Sequence, residues 1–157
     1  MYLINKNISY LILFIFIFLS DRISKILIIK EFKMTGDTKI YSSKNLNLEL
    51  IWNKGVAFGL FPFSSERYYD LMTITILIVI LIIFYLFIKS KKIEKFFFIL
   101  VLSGAIGNFY DRIVYKAVPD FIDIHINNIH WFIFNVSDIS ISLGVLGLIL
   151  NEILIKR

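Results

Sequence analysis

Long apolar runs constrain this chain more than any other feature of its sequence. A membrane-spanning helix needs about 20 mostly apolar residues. Four stretches meet this requirement: Ile8 to Ile29, Leu71 to Ile88, Phe96 to Val114 and Phe134 to Ile155. With 58% hydrophobic residues and 16 Phe among 157 residues, a water-soluble core of this size could not bury them all. We therefore predict an all-α membrane protein, a single domain built as a bundle of four transmembrane helices.

Basic residues indicate how the four spans are oriented. Four lysines fall within residues 89–95, between the second and third spans, and the chain ends with Lys156 and Arg157. Such clusters mark the cytoplasmic side, so we interpret the net charge of +5 as an orientation signal and expect no nucleic-acid partner. Both termini are then cytoplasmic. The first span is too long for a signal peptide and no small-residue cleavage site follows it, so we expect it to be retained.

Alternating residues predict a small β-sheet outside the membrane. Apolar residues alternate with mainly polar ones from Leu46 to Asn53, and the same period of two recurs from Phe121 to Ile126. This period is typical of strands with one face on an apolar surface. Asn127 and Asn128 can turn the chain back into residues 129–132. We expect an extracytoplasmic cap of sheet and loop over residues 36–66 and 117–133.

Charged and amide side chains inside apolar spans are costly and therefore mark candidate functional sites. Three spans each carry such residues on one helical face: Asp21 with Lys25, Asn108 with Asp111 and Arg112, and Asn135 with Asp138. In the expected orientation all of them lie near the outer ends of their spans. Asp21, for example, is roughly 20 Å beyond Ile8 along an ideal helix. The sequence predicts a polar site just beneath the outer surface.

Two aspartates stand out because no basic partner is evident for them. The basic residues of the spans have acidic neighbours on their own helices, which allows structural ion pairs as readily as functional ones: Asp21 with Lys25, and Asp111 with Arg112. Asp120 and Asp138 are left unmatched if they face each other. Two close carboxylates share one proton, and such a pair performs general acid and base catalysis on a water.

Other catalytic chemistries find little support in the sequence. The absence of Cys removes thiolate metal sites, disulfides and cysteine nucleophiles. His125 and His130 are five apart, which does not place them on one helical face, and no HExxH motif is present. We therefore expect no metal ion and no other cofactor. Gly104 and Gly107 are interpreted as small residues that permit close helix packing.

The motifs of the chain resemble those of the lipoprotein signal peptidases, also called signal peptidase II. Five occur in the family's order: DRISK from Asp21, NKGVAFG from Asn53, GAIGNFYDR from Gly104, VPDFID from Val118 and FNVSD from Phe134. Any one of these short strings is weak, but five in order on four spans are specific. The resemblance covers essentially the whole chain.

The resemblance implies an aspartic endopeptidase of the bacterial inner (cytoplasmic) membrane. Its substrates are prolipoproteins whose lipobox cysteine already carries a diacylglyceryl group, and it removes their signal peptides near the extracytoplasmic side. Asp120 and Asp138 match the catalytic dyad, and the family motif favours Asp120 over its near competitor Asp123. Substrate-binding or supporting roles are implied for eight further residues: Asp21, Lys25, Asn53, Gly55, Asn108, Asp111, Arg112 and Asn135.

The resemblance also implies contact with membrane lipids and sensitivity to globomycin-type inhibitors, and we expect a monomer. Departures from the family pattern are small: Ser103 for a common Gly, Pro119 for an aliphatic residue and Ser137 for Ala. None removes a catalytic group.

A different class of function is a small ion or proton transporter, or a channel-like bundle, because intramembrane charges also mark ion pathways. The polar residues gather at one side instead of forming a file across the bilayer, which argues against it. A purely structural membrane subunit is a third possibility. It would leave two unmatched acids unexplained.

Overall fold

Four long helices and a four-stranded antiparallel sheet make up the part of the chain that is described. The computed structural model describes residues 6–55, 66–127 and 129–155. The elements, in chain order, are α1 (Lys6–Thr35), β1 (Lys39–Ser42), β2 (Leu46–Asn53), α2 (Glu66–Lys89), α3 (Lys92–Tyr115), β3 (Val118–Ile126), β4 (Ile129–Phe134) and α4 (Val136–Ile155). Predictions for residues 56–59 of the second motif, for Asn128 and for the chain end at 156–157 lie outside the described residues.

Three of the described helices are long and apolar enough to cross a membrane, where the sequence predicted four. They are Glu66–Lys89, Ile93–Tyr115 and Val136–Leu154. Helix α1 is the longest at 30 residues, but Asp21, Arg22 and Lys25 interrupt its apolar sequence. The prediction of a mostly helical membrane protein with a small sheet is confirmed, and the prediction of four spans is not.

The fourth predicted span begins two residues later than expected. Phe134 is the last residue of β4, and α4 starts at Val136. The reason is a helix cap, because the Asp138 amide N–H donates to the Asn135 side-chain oxygen at 3.1 Å. Asn is among the best residues for this role, since its side chain satisfies an amide that has no partner inside the helix.

The strands pair in the order β1-β2-β3-β4, each antiparallel to the next. The predicted alternation along β2 is only partly correct. Leu50 is buried as expected, but so are the polar Asn47 and Asn53, whereas Trp52 is exposed. A register shift between Leu48 and Ile51 accounts for Trp52 and Asn53, because an irregularity in pairing changes which face a side chain occupies. Asn47 precedes the shift, and its side chain is bound to Ser42 and Asp123.

The sheet rests on the C-terminal part of α1. Ile28 and Ile29 of α1 pack with Leu50 of β2 and Phe121 of β3 in one buried cluster. Because β3 is an inner strand between β2 and β4, this cluster holds the interior of the sheet against α1. Asp120, next to Phe121, is thereby held where the sheet meets the bundle.

Helices α3 and α4 approach closely through glycines. A Cβ atom at Gly104 would meet the Ser137 backbone oxygen, and one at Gly107 would meet the Ser137 hydroxyl. At Gly147 of α4 it would collide with the Phe97 ring of α3. The packing role predicted for Gly104 and Gly107 is confirmed, since small residues let helix backbones come together.

Candidate active site

A buried cluster of charges joins α1 to α3. The Lys25 ammonium lies 2.9 Å from an Asp21 carboxylate oxygen and 2.7 Å from an Asp111 oxygen. Arg22 forms ion pairs with the same two carboxylates and also donates to the Gly107 carbonyl. Two acids and two bases thus neutralise one another. These four residues are called the ion cluster below.

The ion pair that the sequence allowed between Asp111 and Arg112 does not form. Asp111 pairs with Arg22 and Lys25 of α1. The Arg112 guanidinium donates instead to two backbone carbonyls, those of Asn108 at 3.0 Å and Gly55 at 3.1 Å.

The contact between Arg112 and Gly55 anchors the segment that follows β2. Gly55 N–H donates to the Asn53 side-chain oxygen at 2.8 Å, which closes a tight turn. The Asn53 amide nitrogen in turn donates to Asp120 at 2.9 Å. Arg112 therefore helps to hold the residue that holds Asp120.

Asp120 is buried and bound by amides. Its two oxygens accept hydrogen bonds from Asn53 and, at 2.6 Å, from Asn135. Burial raises the pKa of Asp120 to about 7, and the nearby Asp138 carboxylate acts in the same direction. The hydrogen bonds from Asn53 and Asn135 oppose this rise without cancelling it. Asp120 therefore exchanges its proton near neutral pH.

Asp138 lies in the first turn of α4 and is held from two sides. One carboxylate oxygen accepts from the Asn135 backbone N–H at 3.1 Å, completing a reciprocal cap with that residue. The other accepts from the Asn108 amide at 2.7 Å. Asn135 thus contacts both Asp120 and Asp138. Among the described residues, no Lys, Arg or His forms an ion pair with either carboxylate.

Both carboxylates line one cavity of about 220 Å³. Its walls combine polar and apolar side chains: Asn53, Asn108, Arg112, Asp120, Asp138 and Ser142 with Ile76, Ala105, Val118 and Ile141. Asp138 also borders a second, mainly apolar cavity of about 320 Å³ beside Trp131 and Phe134. The first cavity can hold water against two carboxylates, and the second can hold apolar groups.

One hydrogen-bonded network contains every site residue that the sequence predicted. Asn108 links the ion cluster to Asp138, because its side-chain oxygen accepts from Lys25 at 2.9 Å while its nitrogen donates to Asp138. Asn53, Gly55, Arg112 and Asn135 join it through the contacts above. Asp123 lies outside this network and bonds instead to Asn47 and His130.

Sequence reasoning missed two participants. Arg22 was overlooked because its partner Asp111 lies on another helix, although Arg22 stands within the first motif. The Ser137 backbone N–H, which donates to Asp21 at 3.0 Å, carries no side-chain signal. Outside the site, Asn47 was assigned only to a strand, yet its side chain binds Asp123.

The fold and site together define a class, namely a membrane protein in which two aspartates, Asp120 buried and Asp138 partly buried, line one cavity. Two carboxylates placed in this way are suited to acid and base chemistry on water. A sequence profile of the family described as signal peptidase (SPase) II matches residues 13–154. The chain belongs to the signal peptidase II family. The resemblance noted from the motifs is thereby confirmed.

Similar proteins support this assignment across nearly the whole chain. The lipoprotein signal peptidase of Pelagibacter ubique (strain HTCC1062) is 48% identical over 143 residues, covering 91% of this chain and 86% of that protein. The lipoprotein signal peptidase of Francisella tularensis subsp. novicida (strain U112) is 38% identical over 161 residues, covering 100% and 99%. A solved structure described as a bacterial membrane enzyme covers 95% of this chain and 92% of its own, with a TM-score of 0.71 and 28% identity.

Proposed function

We propose that this chain is an aspartic endopeptidase that removes signal peptides from diacylglyceryl-modified prolipoproteins, with Asp120 and Asp138 as the catalytic pair. One observation carries the proposal. Asp120 is buried and Asp138 is partly buried, and both carboxylates line one cavity and share Asn135 as a hydrogen-bonding partner, without a basic ion-pair partner among the described residues. Two such groups hold a proton between them at neutral pH, which is the state that water activation requires.

The proposed reaction needs no covalent intermediate. The ionised carboxylate takes a proton from water while the water oxygen attacks the scissile carbonyl carbon. The protonated carboxyl group donates to the carbonyl oxygen, giving a tetrahedral intermediate. The intermediate collapses, the C–N bond breaks, and the nitrogen leaves with a proton from the pair. The two groups titrate as a unit, so acid and base are roles of the pair.

The amides around the pair position it. Asn53, Asn108 and Asn135 each donate to a carboxylate oxygen, and each is fixed by a further hydrogen bond of its own, to Gly55, Lys25 and Asp138 respectively. Amides supply hydrogen bonds without adding charge. They can therefore orient both carboxylates and leave the shared proton in place, which a lysine or arginine at the same positions would displace.

We propose that α1 is a fourth membrane span, which places both termini in the cytoplasm. An ideal helix of its length extends about 45 Å, more than the hydrocarbon core of a bilayer. Its Ile8, Leu11 and Phe16 side chains are exposed, as expected for contact with lipid. Its interior charges are neutralised inside the bundle by Asp111. The pair then lies near the outer surface of the bacterial inner membrane.

The same placement supports the remaining parts of the proposal. A substrate signal helix can lie along the bundle while its acyl chains stay in lipid, which brings the cleavage point to the outer interface. Globomycin-type inhibitors are proposed to occupy the cavity between Asp120 and Asp138. The site is built within one chain, which is consistent with a monomer. A transporter is not favoured, because the family assignment is to peptidases.

The decisive experiment measures signal-peptide release by purified wild-type protein, Asp120→Asn and Asp138→Asn. Each is incubated with a diacylated prolipoprotein and, separately, with the unlipidated precursor. We expect cleavage of the lipidated form alone, lost in both variants. Asp70→Asn is the matched control, because Asp70 is exposed and pairs only with the exposed Lys116 among the described residues.

Two outcomes would contradict the proposal. Turnover retained in both single variants would exclude the carboxylate pair as the catalytic groups. Absence of cleavage by folded wild-type protein, with a substrate that another active peptidase processes, would exclude the activity itself.

A further inference from the structure

The hairpin of β3 and β4 gathers the chain's only two histidines around a buried carboxylate. His125 and His130 are direct cross-strand partners, and Asp123 lies two residues before His125 on the same strand. The nitrogen and oxygen ligand atoms of the three side chains all lie within 4.8 Å of one another. The earlier expectation of no metal ion assumed helical spacing, whereas these residues lie on strands.

The separations suit a four-coordinate ion. An Asp123 oxygen lies 2.9 Å from Nδ1 of His130 and 3.9 Å from Nδ1 of His125. Ligand atoms around a tetrahedral Zn²⁺ with bonds of about 2.05 Å are about 3.4 Å apart. The observed distances bracket that value, so small side-chain rotations suffice to place three ligands around one ion.

The carboxylate is already held in place for such a role. The Asn47 amide donates to Asp123 at 2.8 Å, and the Ser42 hydroxyl donates to the Asn47 oxygen at 2.7 Å. Hydrogen bonds behind a ligand are a common feature of metal sites, because they fix its orientation.

A hydrogen bond between Asp123 and His130 does not explain why His125 lies beside them. The two imidazole rings stack with centroids 4.8 Å apart and planes at 20°. Nδ1 of His125 lies 3.5 Å from the Asn47 nitrogen, at the outer limit of a hydrogen bond. Two imidazoles that converge on a carboxylate form a typical donor set for zinc and related divalent metals.

We propose that Asp123, His125 and His130 bind one divalent transition metal ion, such as Zn²⁺, with the fourth position open to water. The Asp123 and His125 side chains are 3% and 10% exposed, whereas His130 is 52% exposed and gives the ion a path from solvent. The bound ion ties β3 to β4 near their connecting turn. The site is separate from the Asp120 and Asp138 pair and does not depend on the proposed peptidase activity.

The chain's composition makes a metal-binding test specific for this hairpin. It contains two histidines and no cysteine, so imidazole-dependent metal binding can arise only from this hairpin. The full-length protein is purified on an affinity tag without histidine, stripped with a chelator and dialysed against Zn²⁺. We expect saturable binding of one Zn²⁺ per chain and a higher Tm when Zn²⁺ is present, because an ion that binds only the folded state stabilises it.

Variants then assign the ligands. His130→Gln and His125→Gln should each lose the saturable site and the Tm increase, and Asn47→Ala should weaken binding about 10- to 100-fold. Glu49→Gln, an acidic residue on the same sheet, is the matched control and should bind as the wild type does. His130 is half-exposed, so its substitution leaves the core intact. Absence of saturable binding to folded wild-type protein, or unchanged binding by the double histidine variant, would overturn the proposal.

Discussion

Two pairs of aspartates lie within one hydrogen-bonded network but in different electrostatic settings. Asp21 and Asp111 are completely buried and are matched by Arg22 and Lys25. Asp120 is almost as buried, yet within the described part of the chain it and Asp138 receive hydrogen bonds from amides alone. The same side chain is thus placed once in an ion cluster and once among amides, where we propose that it carries a proton.

The difference follows from the cost of a buried charge. An isolated ion in a low-dielectric interior costs several kcal/mol, and a carboxylate avoids this cost either by pairing with a cation or by binding a proton. Where the cation is present, the proton is displaced and the group becomes a structural link. Where only amides are present, the proton stays available for chemistry.

The largest expected contrast comes from making the same substitution in each pair. Asp138→Asn should reduce kcat about 100-fold or more, because loss of a general acid or base costs roughly 10²- to 10⁴-fold. The variant should remain folded, since Asn preserves the shape of the side chain. Asp111→Asn should lower the folded fraction, but the molecules that remain folded should keep much of the wild-type kcat. Active-site titration measures the active fraction, and single-turnover cleavage then gives the rate for that fraction.

Stability should show the reverse order. Lys25→Met leaves Asp21 and Asp111 facing Arg22 alone, and removal of one partner from a buried ion pair costs about 3–5 kcal/mol. The double variant Lys25→Met with Asp111→Asn restores neutrality and should recover part of the loss. Thermal unfolding in detergent measures both. Equal stability of the single variant and the wild type would show that the ion cluster contributes nothing.

The pH dependence of stability should come from the amide-bound pair. The pKa of Asp120 rises from an ordinary 3.8 to about 7 in the folded protein. Between these values the folded state binds a proton that the unfolded state has released, so stability falls as pH rises, by on the order of 4 kcal/mol. Tm measured from about pH 4 to pH 8 should fall more steeply for the wild type than for Asp120→Asn. Parallel curves would contradict the assignment.

The smallest expected effect concerns the packing that connects the two pairs. Gly107→Ala places a methyl group against the Ser137 hydroxyl and 3.0 Å from an Asp21 oxygen. Such overpacking costs about 1–3 kcal/mol. Because it affects the contact between Asp21 and α4, it should lower Tm with a minor change in kcat. A large loss of kcat at unchanged Tm would show that Gly107 acts on the reaction itself.

The spans, the strands and the polar site residues could be predicted because they leave local patterns in the sequence. Apolar runs located the helices of residues 66–89 and 92–115, and the period of two located β2 and β3. Intramembrane polar residues are costly enough that their presence alone pointed to the site. Within the described chain, the network contains all of the predicted site residues.

The partners within that network could not be predicted, because they depend on tertiary packing. Arg22 and Asp111 are 89 residues apart, and no local rule favours this pair over Asp111 with its neighbour Arg112. The irregularity between Leu48 and Ile51 likewise depends on how β2 pairs with β3. His125 and His130 were judged by helical spacing, although a two-residue turn at 127–128 would place them opposite each other on a hairpin.

The long separation between the charges of α1 and their partner also constrains how the chain is made. Lys25 and Arg22 emerge from the ribosome 86 and 89 residues ahead of Asp111. At a synthesis rate of about 5–20 residues per second, this interval lasts on the order of 4–18 s. Until α3 arrives, α1 holds two cations against the single anion Asp21. For the fourth span proposed above, we therefore expect insertion into lipid to be completed only after α3 arrives, so that a nascent chain stopped before Asp111 should keep α1 accessible to water-soluble reagents.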